Sequence, residues 1–184
     1  MQIFYSIGDL PISKLVHDDK YAYKKEGHGG KPVWEWPICL FFQLYLYGEK
    51  EKAEGLFIDW YIEQYDKYAN VGKLKGGMKN GSLYTLYNKM QSESNDKIQF
   101  EEAVIKRVQQ RFQLLEKIRI EGYIPNRSDP ISALNKKNES FILLGGHHRI
   151  ASLYVLQYKI VPGIYVYNKK YMHSIHNILK RFNR

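Results

Sequence analysis

A single cysteine, Cys39, rules out any disulfide within the chain. It lies in Ile38-Cys39-Leu40-Phe41-Phe42, where a small thiol packs as a hydrophobe; a reactive thiolate needs an exposed, electropositive setting. Long apolar runs are missing too. The longest, Pro37 to Tyr47, contains Gln43 and falls far short of the roughly 20 residues that cross a bilayer, so no membrane partner is expected. The first residues lack the basic region, apolar stretch and small-residue cleavage site of a secretory leader, and the expectation is a soluble, cytoplasmic protein. There is no internal repeat, heptad series or low-complexity tail. His28, His173 and His176 form no metal-ligand pattern with cysteine or carboxylate partners, so no structural zinc or other metal site of the protein's own is expected.

What is present suffices for one domain: 184 residues, 44% of them apolar and 15% aromatic, can bury a real core. The net charge is +9, and its distribution says more than its size. Residues 1–97 carry 13 Lys and Arg against 13 Asp and Glu, whereas residues 98–184 carry 15 against 6. The basic surface therefore belongs to the second half. Such a field favours phosphates, on nucleotides, nucleic acid or metabolites alike.

The hydrophobic pattern divides the chain into a first strand region (1–20), a mainly helical insertion (21–97), a core (98–168) and a basic C-terminal helix (169–184). In the first, Leu10-Pro11-Ile12-Ser13-Lys14-Leu15-Val16 reads as a strand running into the polar loop His17-Asp18-Asp19-Lys20. In the second, Leu40, Leu44, Leu46, Phe57, Trp60, Tyr61 and Tyr65 recur at helical spacing between Pro37 and Tyr68, with Trp34, Trp36 and Trp60 expected in the core of that insertion. Lys75-Gly76-Gly77-Met78-Lys79-Asn80-Gly81-Ser82 is loop-like; Ser82-Leu83 stands where a Walker loop requires Lys followed by Ser or Thr. In the third, Val104, Val108, Phe112, Leu115 and Ile118 mark one face of a helix from Phe100 to Glu121, closed by Gly122. Arg107 and Arg111 sit one turn apart on it and either line a pocket or are solvated. Two strands follow, Pro130–Leu134 and Ser140–Leu144, then a helix from His147 to Gln157 and a last strand from Val161 to Tyr167.

The second of those strands runs straight into Gly145-Gly146-His147-His148-Arg149. A strand that turns through two glycines into a helix brings backbone N–H groups and the positive end of the helix dipole to one point, which is an anion site. His147, His148 and Arg149 add side-chain donors over the same turn, and a guanidinium grips phosphate through parallel hydrogen bonds.

These residues carry a resemblance. Ile118-Arg119-Ile120-Glu121-Gly122-Tyr123, Asp129-Pro130-Ile131, Leu144-Gly145-Gly146-His147-His148-Arg149-Ile150-Ala151-Ser152-Leu153 and Val161-Pro162 resemble the ParB/sulfiredoxin superfamily, in that order. There a glycine-terminated helix precedes a Pro-Ile strand, a hydrophobic strand leads to a Gly-x-His-Arg or Gly-Glu-Arg-Arg box, and a helix and a Val-Pro strand follow. The implied fold is α+β, a small mixed sheet with packed helices; residues 21–97 fall outside the resemblance.

The resemblance implies different activities in different branches. Sulfiredoxins carry a nucleophilic cysteine where His147 stands, so sulfinic acid repair is not expected. Chromosome-partitioning ParB proteins bind CTP through the box and continue into DNA-binding and dimerisation domains; about 35 residues follow the box here, so partitioning is not expected. A third branch resembles small-molecule kinases such as the free-serine kinase, in which an acidic residue just after the first strand activates the acceptor hydroxyl. Asp18 and Asp19 stand at the matching place. The expectation is thus a kinase that binds ATP or ADP, or CTP, with Mg2+ at Gly145, Gly146, His147, His148 and Arg149, helped by Arg107 and Arg111. Asp18 or Asp19 is the expected base, with His147 beside the reacting phosphate, and the acceptor is a small hydroxyl-bearing metabolite or sugar. The alternatives are a nucleic-acid-binding protein or nuclease, and a nucleotide sensor without turnover.

Overall fold

The computed structural model describes residues 5–17, 32–70, 96–125, 130–135 and 141–166. Among them the fold is α+β, with five strands, β1 (Tyr5–Pro11), β2 (Leu15–His17), β3 (Ser132–Asn135), β4 (Phe141–Gly145) and β5 (Ile160–Val166), and four helices, α1 (Pro37–Leu46), α2 (Lys50–Asn70), α3 (Asp96–Glu121) and α4 (His147–Val155). Two compact units are formed: residues 1–39 with 115–184, and residues 40–114. The second unit and the insertion read from the sequence, 21–97, overlap without coinciding.

The first unit is built on a mixed sheet in the order β1-β5-β3-β4-β2. The β1–β5 and β3–β4 pairs are antiparallel, whereas β3–β5 and β2–β4 are parallel. What reads in the sequence as one strand is two: a 3-10 turn at Ile12–Lys14 separates β1 from β2 and sends them to opposite edges. Four chain steps, Pro11 to Leu15, reach at most roughly 14 Å, whereas four flat strand spacings span roughly 19 Å. The sheet therefore curls until its edges approach. Leu10, Ile12, Leu15, Ile131, Leu143, Ile150, Val161 and Ile164 are buried within this unit. A side chain at Gly163 would run into Leu10 Cδ1 and come within 3.0 Å of the Ile131 carbonyl, so a glycine is what lets β1 close on β5.

The second unit is held by aromatic rings. Phe57, fully buried, lies 4.9 Å from Phe41, 5.3 Å from Tyr61 and 5.8 Å from Phe112 between ring centroids, in stacked, tilted and edge-on arrangements. Tyr45 stacks on Phe112 at 4.4 Å, and Trp60 lies 6.0 Å from Phe57. The periodicity from Pro37 to Tyr68 is divided at Gly48, whose φ of +94° only glycine adopts cheaply; Glu49 N–H then donates to the Leu44 carbonyl at 3.0 Å and closes α1. Leu40, expected on the apolar face, is 52% exposed, and Ile38, Cys39, Phe41 and Phe42 are buried instead. Trp34 is also half-exposed and Trp36 belongs to the first unit; Trp60, the tryptophan of the second, is partly exposed and packs on Phe41 and Phe57 at its edge.

Helix α3 carries the face read from its sequence: Phe100, Val104, Val108, Phe112, Leu115 and Ile118 are all buried. It ends at Glu121, with Gly122 N–H donating to the Ile118 carbonyl at 3.0 Å. Its surface pairs, Arg119–Glu116 and Lys117–Glu121, contribute at most about 0.5 kcal/mol each.

Cys39 is 1% exposed and its thiol donates to the Val33 carbonyl at 3.1 Å. Burial pushes the thiol from an ordinary 9.0 up to about 12. Because the native state holds the proton more tightly than the unfolded chain, the thiol's contribution is intact below pH 9 and is lost as pH rises toward 12. The stability difference between wild type and Cys39→Ala should therefore shrink by about 1.4 kcal/mol per pH unit above the unfolded-state value. Urea unfolding of both proteins from pH 8 upward measures it, and a constant difference would contradict the assignment.

Candidate functional site

Strand β4 delivers Gly145 and Gly146 to the start of α4. Gly146 caps the helix in the left-handed region, at φ +90° and ψ 22°, and no side chain caps α4. Two independent constraints require glycine here: the positive φ, and the fact that a Cβ would lie 2.8 Å from Ile131 Cγ1 and 3.3 Å from Arg149 Nη2. Gly146→Ala should cost about 1–3 kcal/mol from backbone strain and crowding, read as a lowered urea midpoint. An unchanged midpoint would mean that the turn is not so constrained.

The first hydrogen bond of α4 runs from Ile150 N–H to the Gly146 carbonyl at 2.9 Å, which puts His147, His148 and Arg149 in the first turn. By helix geometry the N–H groups of that turn have no acceptor within the helix, and the dipole makes their surroundings positive. Arg149 Nη2 reaches back over Gly146, so its charge lies over the same turn. Residues 145–149 are all partly exposed, whereas Ile150, Ala151, Ser152 and Leu153 are buried. The helix is thereby anchored along its length while its start meets solvent. Ser152 Oγ donates to the His148 carbonyl at 2.9 Å and stiffens the first turn from inside.

Two residues that the sequence did not single out for the site lie beside this turn. Trp36, 3% exposed, follows the 3-10 turn Val33–Glu35, and its ring centroid is 5.8 Å from that of His147 at a tilt of 40°. It limits the positions open to that imidazole. Ser132 is the β3 partner of Gly145 and is 3% exposed, with its Oγ 3.3 Å from where a side chain on Gly145 would begin. No local pattern marks either residue: Trp36 is more than a hundred positions from His147, and Ser132 occupies an ordinary strand position.

Strands β2 and β4 are parallel, with His17 opposite Leu143, so β2 leaves the sheet at the end where Gly145 and Gly146 lie. Asp18 and Asp19 come next in the chain and are outside the described residues, as are the loop 75–82 and the basic segment 169–184. Arg107 and Arg111 are on the part of α3 that belongs to the second unit, both partly exposed. Among the described residues no three His, Cys, Asp or Glu side chains gather to hold a metal ion, and no helix is long and apolar enough to cross a membrane. Comparison with protein-family models, curated proteins and solved structures found no match.

Proposed function

We propose that this protein is a nucleotide-dependent phosphotransferase of ParB/sulfiredoxin-like fold, binding nucleotide phosphates at Gly145–Arg149 and acting on a small hydroxyl-bearing metabolite or sugar. The observation that carries the reading is the uncapped, left-handed Gly146 opening α4 beneath the Arg149 guanidinium. The order of elements supports the fold: a helix ending at Gly122, β3 after Pro130-Ile131, β4, the box, α4, then β5 through Val161-Pro162.

Phosphoryl transfer asks a protein mainly for positioning and charge neutralisation. Arg149, His148 and the first turn of α4 would meet the charge of the phosphates, with His147, backed by Trp36, beside the reacting group. Asp18 or Asp19 would accept the acceptor's hydroxyl proton; the exit of β2 at the box end of the sheet supports that role. The nucleotide is ATP, ADP or CTP. Mg2+ would arrive with the nucleotide's phosphates.

Asp18→Asn and Asp19→Asn should bind ATP as wild type does, and at least one should lose phosphate transfer in a screen of polyol, sugar and amino-acid acceptors. Full turnover in both variants would remove the proposed base. The basic second half favours one rival, binding along a nucleic-acid backbone, which should weaken steeply between low and moderate salt. A compact nucleotide site should be less sensitive.

A further inference from the structure

A ring that binds a nucleobase must sit on a fixed backbone with a face left open, because stacking is gained only where no other group already covers it. Trp34 meets both conditions. It lies in the middle of the 3-10 turn Val33–Glu35, which is closed by hydrogen bonds from Glu35 N–H to the Pro32 carbonyl at 3.0 Å and from Trp36 N–H to the Val33 carbonyl at 3.1 Å. Val33 before it and Trp36 after it are buried and anchor the turn. Trp34 itself is 49% exposed, and among the described residues no aromatic ring lies against it, whereas Trp36 and Trp60 both have ring partners. Exposed apolar side chains are common on any protein surface; the place of this one sets it apart. The turn packs on both β2 and α4, and Pro32 forms an antiparallel bridge with Val16 of β2. It therefore links the end of the sheet where β2 leaves to the helix whose first turn carries the box. Trp34 is two chain steps from Trp36, at most roughly 7 Å, and the Trp36 ring already reaches His147.

Resting on the phosphate site proposed above, we infer that Trp34 is a ligand-binding residue, whose indole stacks on the base of the nucleotide whose phosphates sit at Gly145–Arg149. The two tryptophans of the segment then have distinct roles. Trp36, buried, packs on the imidazole of His147; Trp34, exposed, offers its face to the base, with the sugar spanning the gap between base and phosphates. The ligand class is a nucleoside phosphate, as opposed to a phosphorylated metabolite or inorganic phosphate. Because every base has a π face, the stack by itself selects no particular base. The backbone under the ring is already fixed by the closed turn, so little freedom is lost when the base arrives.

Trp34→Ala should weaken ATP binding about five- to a hundredfold, the loss of one base–aromatic stack. The same variant should bind inorganic tripolyphosphate, which has neither base nor sugar, as wild type does. Trp34→Phe, which keeps a smaller ring, should lie between for ATP. Titration calorimetry with Mg2+ present reads both ligands in all three proteins. In wild type the indole N–H resonance of Trp34 should shift with ATP and stay in place with tripolyphosphate. Wild-type ATP affinity in Trp34→Ala would overturn the role of Trp34 and leave the phosphate site standing. An equal loss for ATP and tripolyphosphate would also overturn it, since the residue would then act through the fold. An indole that shifts equally with both ligands, or with neither while ATP binds, would overturn it even if a variant failed to fold. If wild type itself binds neither ligand, the phosphate site falls, and the role of Trp34 with it.

Discussion

Arg149→Ala should weaken ATP binding about a hundredfold or more, the loss expected when two charge-assisted hydrogen bonds to phosphate are removed. Its guanidinium lies over the Gly146 turn, with Nη2 3.3 Å from the position a Cβ would take there. Alanine removes both the charge and the planar fork. Arg149→Lys keeps the charge and loses the fork, so its affinity should fall between the two. The side chain is partly exposed, and the ligand-free variant should lose about 1 kcal/mol of stability or less. Titration calorimetry and urea unfolding together separate the two effects. An alanine variant that binds as wild type does would move the phosphate contact to another residue.

Phe57→Ala should be the most destabilising single change in the second unit, at about 3–5 kcal/mol. The side chain is fully buried, and its ring meets those of Phe41, Phe42, Trp60, Tyr61 and Phe112 at centroid distances between 4.9 and 6.1 Å. Deleting it forfeits the transfer free energy of the ring and leaves a cavity lined by aromatics too large to collapse into it. For a protein whose whole stability is of the order of 5–15 kcal/mol, that is a large fraction. Phe57→Leu, which refills much of the volume, should recover a good part of the loss. Urea midpoints of the three proteins give the comparison; a loss below about 1 kcal/mol for the alanine variant would mean that the cluster repacks freely.

The parts of the fold that were legible in the sequence are those written in local periodicity. The stripe from Val104 to Ile118 predicts the buried face of α3, and Gly122 marks its end. Phe141 to Gly145 followed by a second glycine predicts a strand turning into a helix, and β4 and α4 meet at Gly146 as expected. The split of the first strand was not legible. Leu10 to Val16 alternates well enough to pass for one strand, and only the two edge positions of β1 and β2, set by pairing with β5 and β4, force the 3-10 turn at Ile12–Lys14. Helix α4 ends at Val155, short of the expected Gln157, because Gln157 takes a left-handed conformation and Tyr158 N–H bonds back to the Leu153 carbonyl. Glutamine gives no warning of that. Within the site, the glycines and the basic box could be read directly, since their chemistry is local. Trp36 and Ser132 could not, because their nearness to the turn depends on segments far apart in sequence coming together.

The measurement that bears most directly on the central claim is a titration of isotopically labelled protein with ATP, following the backbone amides by heteronuclear NMR. A phosphate seated on the first turn of α4 should produce saturable shifts largest at Gly146, His147, His148, Arg149 and Ile150, and absent from Arg149→Ala at the same ATP concentration. Saturable shifts confined to the basic segment 169–184, or no saturable shift anywhere, would contradict a phosphate site at Gly145–Arg149.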